Sequence, residues 1–86
     1  MKQEIKITKY DSSKGLQLSW EKNFYIETKK EKTELVISAN REGLISLARH
    51  FLTLAQNDVP LGTHIHLDEY NALENGSVDL IIEKKL

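Results

Sequence analysis

The chain has 86 residues, 40% of them hydrophobic and 29% charged, with a net charge of −1 and no cysteine. That composition fits one small globular domain over residues 1–86 and excludes a disordered chain, a disulfide scaffold, a cysteine zinc site and a thiol nucleophile. The N-terminus MKQEIKITKY has no apolar signal core and no run of about 18 apolar residues occurs, so the sequence predicts a soluble, cytoplasmic protein with no membrane partner.

Ile5 and Ile7 alternate with Lys6 and Thr8, the period-2 pattern of a half-buried strand. Asp11-Ser12-Ser13-Lys14-Gly15 is a turn cluster, after which Leu16, Leu18 and Trp20 alternate with Gln17, Ser19 and Glu21. Phe24, Tyr25 and Ile26 are β-prone, and Lys29-Lys30-Glu31-Lys32 reads as a charged hairpin tip. Leu35, Ile37 and Ala39 then alternate against Glu34, Val36 and Ser38. The connections are too short for parallel crossovers, so these segments predict a four-strand antiparallel meander.

The period changes after Asn40, a good N-cap, with Glu42 where negative charge suits the helix dipole. Leu44, Leu47, Ala48, Phe51, Leu54 and Ala55 recur at helical spacing and predict a helix over Arg41–Gln56, ended before Val59-Pro60 and Gly62. Ile45 and Leu52 widen its apolar arc beyond a single seam, and Arg49 and His50 are expected on its solvent side. Thr63–Leu67 and Val78–Glu83 read as two further strands, with Asn75-Gly76 as a turn between them. The expected fold is α+β and two-layered: one long helix on one face of a mostly antiparallel five- to six-stranded sheet, in the order β-β-β-β-α-β-β. Its expected core holds Ile5, Leu18, Ile37, Leu44, Leu47, Phe51, Leu54, Ile65, Leu67 and Leu80.

The stretch GTHIHLDEY carries the chemistry. Alternate side chains of a strand share a face, so Ile65 and Leu67 point into the core while His64, His66 and Asp68 point onto the open sheet face. Same-face neighbours lie about 6.5–7 Å apart, close enough for two imidazoles to chelate one ion if a third ligand joins them. His-x-His-x-Asp also occurs in metal-dependent hydrolases such as the metallo-β-lactamase fold, but no histidine follows His66 here. Exposed polar residues or a protein-contact surface account for the pattern better than a catalytic metal centre. No G-x-S-x-G setting and no phosphate loop is present, and no cluster of basic residues accompanies Trp20, Phe24 and Tyr25, with Lys22 alone among them, so hydrolase, nucleotide and nucleic-acid functions are not expected.

Charge is uneven. Residues 1–40 hold eight Lys and six acids, and residues 41–86 hold four basic and seven acidic residues. From Thr53 to Glu83 there is no Lys or Arg, against Asp58, Asp68, Glu69, Glu74, Asp79 and Glu83. This is either ordinary surface variation or an acidic face for a basic partner.

The run from Asn40 to Lys85 resembles a family of small bacterial immunity proteins, the antidotes encoded beside polymorphic toxins. The resemblance rests on Gly43-Leu44 at the helix start, on the pairs Leu47-Ala48 and Leu54-Ala55, on Gly62, His64 and His66-Leu67-Asp68, and on Gly76-Ser77 before an apolar strand. It implies a non-enzymatic inhibitor, without cofactor or metal, that binds a cognate toxin, for example a nuclease with a basic cleft. Joined to the strand geometry, it makes His64, His66, Asp68, Asp79 and Glu83 the expected toxin-contact residues. Gly43 and the helix pairs are most simply packing features. Two alternatives stay open: a small metal-binding or metal-dependent protein using His64 and His66, and a homodimer whose open sheet faces pair.

Overall fold

The computed structural model describes residues 1–86, with strand β1 (Ile26–Glu31), strand β2 (Glu34–Ala39), helix α1 (Arg41–Leu54), strand β3 (His64–Leu67) and strand β4 (Leu80–Glu83). The protein is α+β with one helix, as expected, but its four strands form two antiparallel pairs, β1–β2 and β3–β4, in place of one five- or six-stranded sheet. None of its helices is long and apolar enough to cross a membrane.

β1 and β2 are joined by Lys32-Thr33, with Lys32 in the left-handed region at φ 56° and Glu31 opposite Glu34. Of the charged run expected as the hairpin tip, Lys29, Lys30 and Glu31 instead lie within β1 and pair with β2. Asn40 caps α1 as expected: its Oδ1 accepts from Gly43 N at 2.8 Å and from Tyr25 N at 2.9 Å, and its Nδ2 donates to Asn23 O at 2.9 Å. One side chain thus ties the helix start to the chain entering β1. α1 ends at Leu54, two residues short of the expected Gln56, with Ala55 as the C-cap sharing its N–H between Phe51 O and Leu52 O. Lys84 Nζ then holds the exit loop, donating to Gln56 O at 2.7 Å and Val59 O at 2.8 Å.

The two hairpins meet through backbone and hydroxyl groups. Glu74 N donates to Ile26 O at 2.9 Å, Thr28 N to Ser77 Oγ at 3.1 Å, and the buried Thr28 hydroxyl to Val78 O. The turn ahead of this junction contains Gly76 at φ 86°, where the Asn-Gly pair foretold one.

The two N-terminal strands of the expected meander do not form. Residues 1–24 contain no strand, only a single bridge between Asp11 and Gly15. They make a strap that runs out along α1 and back. Gln3 Oε1 accepts from Arg41 near the helix start, and Thr8 O and Tyr10 N bond to Gln56 beyond its end. The returning arm bonds through Ser19 to His50 and through Glu21 to Ser46 and Arg49. Tyr10, Leu16, Leu18 and Trp20 pack against the core from this strap. The alternation was real, but the apolar side faces a helix, and helix side chains rather than a neighbouring strand meet part of the backbone.

The core is Ile26, Leu47, Leu54, Val59, Ile65, Leu67, Leu73 and Leu80. Leu47, Leu54, Ile65, Leu67 and Leu80 were expected in it. Ile5 and Leu18 are only half-buried, and Ile37, Leu44 and Phe51 are exposed. Two of the exposed three lie on α1, whose buried face is turned from the expected stripe: it carries Ile45, Ser46, His50 and Thr53 beside Leu47 and Leu54, and leaves Leu44 and Phe51 outside. Ile37 lies on β2, along whose outer edge no strand pairs. His50 departs in the opposite direction. Expected in solvent, it is fully buried, with its ring edge-on to Trp20 at 4.1 Å between centroids.

Gly43 shows how tightly the helix start is seated. A Cβ there would lie 2.3 Å from Tyr25 O and 2.9 Å from Ile26 Cγ1, so the packing reading of this glycine holds.

Candidate functional site

β3 and β4 pair in the register His64↔Glu83, Ile65↔Ile82, His66↔Ile81 and Leu67↔Leu80. Ile65, Leu67 and Leu80 are buried, so the opposite face of the hairpin carries His64, His66, Ile81 and Glu83, all exposed. The outward direction inferred for the two histidines from period 2 is the direction they take.

The face has one knot of polar contacts. His66 Nε2 lies 3.0 Å from Asp79 Oδ2 and 3.9 Å from Asp68 Oδ2. A neutral His66 with its proton on Nε2 donates it to Asp79, and a protonated ring makes an ion pair with both carboxylates. Asp68 serves the turn as well. Its carbonyl accepts from Ala72 N and Leu73 N, its Oδ1 accepts from Tyr70 N, and its N donates to Asn71 Oδ1. Asn71 Nδ2 donates back to His66 O at 2.9 Å, and Glu69 Oε2 accepts from Gly76 N at 3.0 Å. The loop beside the histidine is therefore braced at both ends.

Donor atoms of His66, Asp68 and Asp79 all come within 4.8 Å of one another. His64 is not in that group. Asp79, the residue before β4, completes the group with a carboxylate in place of the second imidazole, His64, that the metal alternative used. One imidazole and two partly exposed carboxylates make a weak, oxygen-rich set for a transition metal, unlike the three-ligand nitrogen-rich centres of catalytic zinc. The same three groups suit a Lys or Arg side chain presented by another protein.

Of the expected contact residues, the structure brings His66, Asp68 and Asp79 together. His64 and Glu83 stand opposite each other farther along the hairpin. Sequence reading missed two apolar members of this region. Ile81, across from His66, is 60% exposed, and Tyr70, at the tip of the braced loop, is 91% exposed. Ile81 was available in the pattern: in Leu80-Ile81-Ile82, alternation must turn the middle residue outward. Tyr70 had no such signal, since its exposure depends on how Asp68 and Asn71 fold the loop.

His50 is the other titratable feature. Its Nε2 lies 3.0 Å from Ser19 O, which assigns the proton to Nε2, and its Nδ1 is buried without a partner. Burial pushes its pKa below the ordinary 6.5, and the Arg49 charge adds to that against the opposing Ser19 hydrogen bond. It faces the strap, not the open hairpin face, and acts as a neutral packing group.

No curated protein and no solved structure shows significant similarity to this chain. A family model described as Immunity protein 32 matches residues 34–85, which take in β2, α1, β3 and β4 and leave out the strap and β1. The match covers well over half of the chain, and the protein belongs to the immunity protein 32 family.

Proposed function

We propose that this protein is a non-enzymatic antidote that binds a cognate toxin through the outward face of the β3–β4 hairpin and covers the toxin's active site. Membership of an immunity family supports a toxin partner. The surface is chosen on one observation: the cluster of His66, Asp68 and Asp79 beside exposed Ile81 and Tyr70. Exposed aromatic and aliphatic anchors ringed by directional polar groups are what specific protein interfaces use. The contact set is His64, His66, Asp68, Asp79 and Glu83, joined by Tyr70 and Ile81.

The stretch from Thr53 to Glu83, with six acids and no cation, favours a basic partner such as a nuclease cleft. A standard interface buries about 800 Å² on each side, so contacts must extend from the hairpin onto the loop that carries Tyr70. The protein acts in the cytoplasm of the cell that makes it, where an incoming toxin would meet its target.

Co-expression with the toxin encoded beside this gene tests the reading. Reversing Asp79 and Glu83 together to Lys, both exposed, should leave the fold intact, abolish protection and slow association. Association of the wild type should slow as salt rises from low to physiological strength, with dissociation changing less. Full protection by the folded double variant would mean the toxin binds elsewhere. Failure of the wild type to bind any adjacent gene product would remove the antidote reading for this chain.

A further inference from the structure

β2 is a bare edge strand. In a two-residue hairpin the residues flanking the turn exchange both backbone hydrogen bonds, and every second pair does so after them. Here Glu31↔Glu34 flanks the turn, and Asn40 N donating to Tyr25 O at 3.1 Å continues the same phase. Glu34, Val36 and Ser38 therefore direct their backbone groups to β1, while Leu35, Ile37 and Ala39 direct theirs outward. No other strand lies along that outer edge, and no loop or side-chain hydrogen bond reaches it.

The side chains add to this. Leu35 and Ile37 share a face and are 53% and 40% exposed. Soluble proteins usually guard such an edge with an interior Lys, a Pro or a bulge, because a flat apolar edge recruits another strand. Leu35-Val36-Ile37 has none of these.

We propose that this edge pairs with β2 of a second copy, antiparallel about a twofold axis at Ile37, giving a four-stranded sheet in the order β1-β2-β2-β1. A twofold axis perpendicular to the sheet keeps both helices on one side, so residues opposite each other must point the same way. Centring on Ile37 meets this requirement. Ile37 faces the partner's Ile37, Leu35 faces the partner's Ala39, and Val36 faces the partner's Ser38. No like charges oppose each other. Glu34, the one charge on β2, comes opposite the partner's Asn40 and beside the partner's Arg41, at a helix N-terminus where a carboxylate is favoured. That charge match selects a second copy as the occupant over an unrelated strand. The surface differs from the hairpin face proposed for the toxin, and this proposal does not rest on that one.

A six-residue edge is small beside the roughly 1,200–2,000 Å² of stable complexes, so self-association in the micromolar range is expected. Sedimentation equilibrium of the full chain should show a 9.9 kDa monomer passing to a dimer as concentration rises. Ile37→Lys places a charge on the twofold and should weaken the dimer by about a hundredfold or more. Ile37→Cys should cross-link under mild oxidation, since the paired Cα atoms would lie about 5.5 Å apart. The chain has no native cysteine to compete. Val36→Cys should not cross-link, as diagonal neighbours sit about 7–8 Å apart. Should Ile37→Lys perturb folding, the Cys pair alone decides. A wild type that stays monomeric to about 1 mM, well above a micromolar constant, overturns the proposal. So does a dimer that ignores Ile37→Lys and fails to cross-link at Ile37→Cys, and cross-linking at Val36→Cys overturns the register.

Discussion

The strap of residues 1–24 and the β3–β4 hairpin carry the same kind of sequence pattern and adopt different structures. Ile5-Lys6-Ile7-Thr8 and Leu16-Gln17-Leu18-Ser19-Trp20 alternate as cleanly as His64-Ile65-His66-Leu67. Only the last pairs in a ladder. Alternation reports a segment with one dry and one wet side; it does not report what meets the backbone. β3 finds β4. The strap finds the flank and exit of α1, where Ser46, His50 and Gln56 meet isolated backbone groups in place of a strand. The strap's hold on the domain therefore depends on a few side chains, and the hairpin's on a continuous ladder around buried aliphatics.

Truncation should separate the two most sharply. Leu67, 1% exposed in β3, should cost about 3–5 kcal/mol on substitution by Ala, measured by urea unfolding. Leu18→Ala on the half-buried strap should cost less than half of that. Equal losses would mean that the strap is as much core as the hairpin.

Gly43→Ala tests the helix start, which seats on the β1–β2 hairpin at Tyr25, Ile26 and Ala39, outside both regions. The added methyl meets backbone oxygen rather than a movable side chain, so a cost of about 1–3 kcal/mol is expected. A neutral or stabilised variant, as helix propensity alone would give, would place α1 farther from Tyr25 than the structure does. Phe51→Ala should cost about 1–2 kcal/mol, because the residue is 46% exposed and only part of its area leaves water.

pH sharpens the strap's side of the comparison. Unfolded, His50 titrates at its ordinary 6.5; folded, burial holds it lower. Between those two values the unfolded chain binds the extra proton, so stability is full above about 6.5 and falls as pH drops below it. Thermal unfolding between about pH 5 and 7 should show this slope, and His50→Gln should flatten it. Proteolysis within residues 1–24 should quicken over the same range, since His50 holds the strap through Ser19. An unchanged slope in the variant would assign the effect to other groups.

The smallest effect belongs to the open face. Replacing His64 and His66 together by Ala should change stability by no more than about 0.5 kcal/mol, as for other exposed positions. A larger loss would make the His66–Asp79 contact structural and weaken its reading as a contact surface.

Local chemistry was enough to specify α1 and its Asn40 cap, the turn at Asn75-Gly76, and the outward direction of His64 and His66. Each follows from periodicity, capping or turn preference acting within a few residues. The sequence also held five of the eight core aliphatics in plain view, because Leu47, Leu54, Ile65, Leu67 and Leu80 repeat at the period of their own element. Ile26, Val59 and Leu73 were less legible: two lie in irregular chain and one begins a strand, so no repeat singles them out. What only the tertiary structure decided is which partner each dry face meets. The strap chose a helix over a strand, His50 went inside to meet Trp20, and Ile37, Leu44 and Phe51 stayed outside because nothing in the chain covers them. The knot of His66, Asp68 and Asp79 was likewise half legible. Asp68 lies two residues from His66, whereas Asp79 arrives through the register of β4 and a loop shaped by Asn71 and Glu69. Contacts between residues far apart in the chain depend on the whole packing, and no local period encodes them.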